Sequence, residues 1–152
     1  MATTLTTSTL KVLVKEEITL NGEQQGSETK LNISSVKNIS KRLVSTNGTS
    51  ETTIVSFGAT PAGGTFVEGD VRYIRVTNLD DTNYATLNIE GDSSTDFSVR
   101  LDPGSSHLLV SSSTTGVVDY GSISGGALQD LTAIKATANT AAVDLEVFVA
   151  SA

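Results

Sequence analysis

The chain is expected to fold as an all-β protein, an antiparallel β-sandwich of jelly-roll-like character in a single domain. Three observations predict this. Apolar and polar residues alternate with period two in several stretches, as in "VRYIRV" (71–76) and "VDLEVFV" (143–149), which is the signature of a strand with one buried face. Turn formers punctuate these stretches: Asn21-Gly22, Asn47-Gly48 and Asp102-Pro103-Gly104. The composition is rich in Ser, Thr, Val and Gly, with two prolines and no tryptophan, a bias towards pleated, half-buried surfaces.

Residues 1–8, MATTLTTS, carry no periodicity and are expected to form a flexible N-terminal arm, with residues 9–152 as the sandwich domain. Leu10, Val12, Val14, Ile18 and Leu20 share one parity, opposite Lys11, Lys15, Glu17 and Thr19. This predicts a strand with a buried face, with a bulge or edge at Glu16 and a turn at Asn21-Gly22. Residues 31–44 fit either alternation or a helical stripe through Val36, Ile39 and Leu43; their Asn, Ser and β-branched content favours strand. A strand over 52–57 and a loop over GATPAGGT (58–65) follow.

In "VRYIRVTNLDDTNYATLNI" (71–89), Ile74 and Val76 oppose Tyr73 and Arg75, and Leu87 and Ile89 oppose Tyr84, Thr86 and Asn88. Two strands joined by a few polar residues predict a hairpin turning at Asp80 and Asp81. Phe97, Val99 and Leu101 make a further strand, closed by Asp102-Pro103-Gly104 in a type II turn before Leu108–Val110. Residues 111–126 are of low complexity, interrupted by Val117, Val118, Tyr120 and Ile123. Ile134, Ala136 and Ala138 alternate, although Leu128, Leu131 and Ile134 also permit a helix over 127–138. A turn at Asn139-Thr140 leads into Val143, Leu145, Val147 and Val149, opposed by Asp144, Glu146 and Phe148. About eight strands are expected, with no βαβ alternation.

The 152 residues suit one domain, and a domain of this size buries about 70% of its unfolded-chain surface. Without cysteine there is no disulfide, thiol nucleophile or zinc finger. The N-terminus lacks a signal peptide's basic start and apolar run, so synthesis in a cytoplasm is expected. Asn32, Asn38 and Asn47 head Asn-x-Ser/Thr triplets that carry little weight in that setting. The formal charge of −7, with scattered Lys and Arg, argues against nucleic acid as a partner, and nothing suggests a membrane.

Chemistry has few candidates. Asp80 and Asp81 could bind calcium or share a proton, but LDDTNY holds only a fragment of a calcium loop, and Asp and Asn accept backbone hydrogen bonds readily in turns. His107 adjoins Ser105 and Ser106 only in sequence, and no nucleophile elbow is present. GATPAGG and SISGGA lack the Lys-Ser/Thr ending of a phosphate loop. Glu90, Asp92 and Asp96 read as a solvated acidic turn, and Arg72, Arg75 and Arg100 as locally paired charges. Tyr73 and Tyr84 suggest a cross-strand pair within the hairpin. No catalytic, metal or cofactor residue is assigned, and the expectation is a protein that is not an enzyme.

The stretches "LVKEEITLNGEQQGS", "VRYIRVTNLDDTNYATLNI", "FSVRLDPGSSHLL" and "ANTAAVDLEVFVASA" together resemble small virion structural proteins of tailed phages infecting aquatic bacteria. The resemblance runs over most of the chain and implies a virion component. The first choice is a capsid decoration (cement) protein on the outer shell surface, stabilising the particle and partnered by the major capsid protein or other virion subunits. The alternatives are a small tail, neck or fibre-attachment component, or a carbohydrate-binding β-sandwich module. The expected assembly is a homo-oligomer, with a trimer preferred. Candidate interface residues are Leu5, Val117, Val118, Tyr120, Ile123 and Phe148, apolar side chains in segments with little internal use for them.

Overall fold

A computed structural model of the chain describes residues 4–92, 96–111, 119–121 and 128–152. The strands of the N-terminal part are β1 (Ser8–Lys15), β2 (Thr19–Leu20), β3 (Glu23–Gln24), β4 (Glu28–Val36), β5 (Asn38–Ser45), β6 (Thr52–Gly58) and β7 (Thr65–Val67). A 3-10 turn, Glu68–Asp70, precedes β8 (Val71–Asn78) and β9 (Ala85–Gly91). There follow β10 (Asp96–Leu101), β11 (Ser106–Val110), β12 (Asp119–Gly121), β13 (Leu128–Ala138) and β14 (Asp144–Ser151). The fold is all-β, and its antiparallel sheets pack in a single domain, as the alternation predicts.

Two sheets form the sandwich. One runs β10-β9-β13-β6-β7, with β12 added to β13; the other runs β11-β8-β14-β5. Among the described residues all strand pairings are antiparallel except β6 with β7, which is parallel. The inward parities predicted from the sequence meet between the sheets: Ile74, Val76, Leu145, Val147 and Val149 from one side, Leu87, Ile89 and Ile134 from the other. These side chains are at most 1% exposed, and full burial of each contributes about 1.5–3 kcal/mol. The helical alternative over 127–138 does not occur. Ile134 pairs with Ile89 and with Val55, so β13 is a central strand, and burial on both sides outweighs the weak helical stripe.

Residues 71–89 do not form a hairpin. β8 lies in the four-stranded sheet, between β11 and β14, while β9 lies in the other sheet, between β10 and β13. Residues 79–84 therefore cross from sheet to sheet. Both strands turn their apolar parity to the same core from opposite sides, and alternation reports that parity without naming the neighbouring strand. Tyr73 and Tyr84 accordingly do not pair. The expected turns are present: Asn21 (φ 52°) and Gly22 (φ 84°) both adopt the left-handed region, as a type I′ turn requires. Gly104 (φ 71°) follows Pro103, and the Ser105 N–H donates to the Asp102 carbonyl at 3.0 Å.

The N-terminal ribbon departs most from expectation. β1 pairs only with β4, and β2 with β3 at its tip. Ser35 (φ 62°) and the break at Lys37 redirect the chain between β4 and β5, so the ribbon lies against the outer face of the four-stranded sheet. Its inward residues Ile33 and Val36, with Leu10, Val12 and Leu31, cover Tyr73, Phe148 and Ala150 in a second, smaller core. Val14, Ile18 and Leu20, expected on a buried face, are 44%, 54% and 59% exposed. The alternation was a true strand signal, but among the described residues nothing covers its far half.

Candidate interaction surface

The crossover between sheets is built around Asn78, the last residue of β8, which is fully buried. Its Nδ2 donates to the carbonyls of Asn83 (2.9 Å) and Leu101 (3.1 Å), and its Oδ1 accepts the Asp80 N–H at 2.9 Å. Leu101 ends β10, so one side chain clamps the two sheets. Asp80 accepts the N–H groups of Thr82 (2.8 Å) and Asn83 (2.5 Å), and these hydrogen bonds hold its carboxyl below the usual carboxylate range. Asp81 accepts from the Thr82 hydroxyl at 2.8 Å. The two acids shape a crossover. Asn78 escaped the sequence reading, although a signal was present: it occupies the same parity as Ile74 and Val76, an apolar row in which an amide needs a reason.

His107 lies on β11 opposite Val76, and burial lowers its pKa below the ordinary 6.5. Its Nε2 is buried and makes no hydrogen bond. Ser106 points to the other face, where its hydroxyl meets that of Thr77 at 2.7 Å, so histidine and adjacent serine do not converge. Glu90 pairs with Lys135 at 2.7 Å. Among the described residues no group of three or more His, Cys, Asp or Glu side chains could hold a metal ion. The GATPAGG loop turns through the Thr65 N–H bonding the Ala62 carbonyl at 3.0 Å, while SISGGA (122–127) lies outside the described residues.

The arginines and tyrosines serve local packing. Arg75 pairs with Glu146 at 2.5 Å, and Lys41 joins the same carboxylate at 3.2 Å, holding Glu146 below its ordinary pKa. Arg100 stacks over the Tyr84 ring at 3.9 Å and pairs with Asp102 at 2.7 Å. Arg72 donates to the Gly69 carbonyl at 2.6 Å. Burial pushes the Tyr73 phenol up, and its ring meets Phe148 edge-on at 5.8 Å.

Phe148, singled out as surplus on its parity, is therefore packed beneath the ribbon of its own chain. Leu5 is exposed in the segment before β1. Val117, Val118 and Ile123 lie outside the described residues, as does the side chain of Tyr120, whose backbone pairs with Gln129.

Among the described residues, the ribbon and the sheet face beside it form one surface able to act. Gly26 permits its irregular neck: a Cβ there would lie 1.9 Å from the Glu16 carbonyl oxygen. Between β1 and the sheet runs an open groove of about 540 Å³, lined by Val12 and Val14 on one side and Arg75, Leu108 and Phe148 on the other. The ribbon's outward face sets Leu13, 55% exposed, among Lys11, Lys15 and Lys30; Leu13 and Lys30 are direct cross-strand partners.

Charge is distributed unevenly. Residues 1–50 hold six Lys and Arg against four Asp and Glu, and residues 51–152 hold four against thirteen. The ribbon itself, residues 8–36, is near balance, with three Lys against four Glu, and the acidic excess lies in the sandwich. No protein-family model, curated protein or solved structure matches this chain, so its own geometry and sequence carry the functional reading.

Proposed function

We propose that this chain is a non-enzymatic virion structural protein of a tailed phage, a decoration protein on the outer capsid surface that stabilises the shell. One structural observation carries the reading: a two-stranded ribbon projects Leu13, Val14, Ile18 and Leu20 into solvent, each at least 44% exposed. Exposed apolar side chains clustered on one element suit a contact with another subunit. The resemblance of its strand and turn sequences to small phage virion proteins supplies the setting. The net charge of −7 suits an outer surface better than a wall facing packaged DNA. The major capsid protein is the proposed partner.

Purified particles provide the test. Peptides of this chain should be found in shells separated from tails, and particles lacking it should lose their genome at lower temperature and recover when the protein is added back. Ile18→Ser/Leu20→Ser should leave the sandwich folded and abolish recovery. Peptides confined to the tail fraction would move the protein to a tail or neck position, and their absence from particles would end the virion reading.

A further inference from the structure

The sandwich is open along one side. β5 ends the four-stranded sheet and pairs with β14 alone, along Asn38–Ser45. The Thr46 N–H donates to the Val143 carbonyl at 2.9 Å, which sets the pairing phase: Val44, Arg42 and Ser40 bond β14, and the backbone groups of Ile39, Lys41 and Leu43 face the free edge. No strand among the described residues takes them up. Opposite this edge stand β7 and the loop entering it, and the slot between the two walls has a volume of about 570 Å³. Ile39 and Leu43, on the outer face of β5, are 57% and 69% exposed, and a strand laid beside β5 would cover part of each.

The slot is also one-sided in charge. None of its lining residues is acidic, on a chain of net charge −7. Lys41 is already paired with Glu146. Arg42 is not: its half-buried guanidinium donates to the Ile54 carbonyl and has no acidic partner among the described residues. Its Nε is buried without a hydrogen bond. Its Nη1 lies towards Gly64, where even an added Cβ would stand 4.0 Å away. A cation withdrawn from water without a counter-ion is costly, and a carboxylate brought to Nη1 offsets that cost. We propose that the slot binds an acidic peptide segment in extended conformation, which adds as a further strand along the free edge of β5 and places a carboxylate on Arg42. Main-chain hydrogen bonds to Ile39, Lys41 and Leu43 supply attachment, and Arg42 supplies the preference for acid. No ribbon residue lines the slot, so the site stands apart from the capsid contact proposed above.

Fluorescence anisotropy with two labelled hexapeptides tests it, one alternating glutamate with valine, the other lysine with valine. The glutamate peptide should bind the purified chain with a Kd below about 1 mM, and the lysine peptide at least about tenfold more weakly. Hydrogen exchange at the Ile39, Lys41 and Leu43 amides should slow about fivefold or more when the glutamate peptide is bound. Arg42→Gln should weaken that peptide about tenfold, but it also releases the Ile54 carbonyl. Ala62→Glu is the cleaner variant, because it sets a like charge on the exposed opposite wall; it should weaken the peptide as much with an unchanged urea midpoint. The proposal is overturned by a glutamate peptide that does not bind at about 1 mM, or by equal binding of the lysine peptide. Binding that leaves the three amides unprotected, or that survives Ala62→Glu undiminished, overturns it as well.

Discussion

Replacing Asn78 by alanine should be among the most damaging single changes outside the apolar core. The side chain is fully buried and makes three hydrogen bonds, to the carbonyls of Asn83 and Leu101 and from the N–H of Asp80. A typical intramolecular hydrogen bond contributes about 1 kcal/mol net, and a buried group left without a partner costs about 1–3 kcal/mol. The Leu101 carbonyl belongs to a residue 2% exposed, whereas the Asn83 and Asp80 groups are only partly buried and can recruit water. The sum is a loss of about 3 kcal/mol, a large share of the roughly 5–15 kcal/mol typical of a domain. Asn78→Asp should be worse at neutral pH, because it turns a carboxylate towards two carbonyl oxygens in a buried site. Urea unfolding measures both: the midpoint should fall with the slope unchanged. A loss for Asn78→Ala below about 1 kcal/mol, or an aspartate as stable as the asparagine, would refute the clamp between the sheets.

Two further outcomes are expected. Burial lowers the pKa of His107 below 6.5, so the unfolded chain binds more protons than the folded one as pH falls under that value. Stability should therefore be level above about pH 6.5 and decline towards pH 5, and His107→Phe should flatten that slope; Asp80 and Glu146, held below their ordinary ranges, contribute losses only at lower pH. Gly26→Ala must displace the Glu16 carbonyl and splay the ribbon's neck. Tryptic cleavage after Lys15 and Lys30 should then accelerate several-fold, about 3-fold or more, while the sandwich loses less than about 1 kcal/mol in urea.

Much of the strand pattern was legible because alternation is a local consequence of pleating. Ile74, Val76, Leu145, Val147 and Val149 declare their buried parity in sequence, and the geometry buries each of them. The turns at Asn21-Gly22 and Pro103-Gly104 are equally local, since positive φ is a property of a residue and its neighbours. The strand pairing was not legible. β8 and β9 look like the arms of a hairpin because both alternate and a short segment holding Asp80, Asp81, Thr82 and Asn83 separates them, yet β8 pairs with the distant β11 and β14, and β9 with β10 and the distant β13.

The candidate surface follows the same division. Leu10, Val12, Val14, Ile18 and Leu20 share one parity, but only the ribbon's position on the sheet decides that the first two are covered and the rest are not. Sequence by itself determined the class of fold, the buried parity of the strands around Ile74, Leu87 and Leu145, the turns at Asn21-Gly22 and Pro103-Gly104, and the absence of cysteine chemistry. Tertiary structure alone decided that Asn78 clamps two sheets, that Phe148 packs under its own ribbon, and that Leu13, Leu43 and Leu79 stay exposed. Backbone pleating and turn preference act between neighbouring residues, while burial and sheet pairing depend on segments brought together from across the chain.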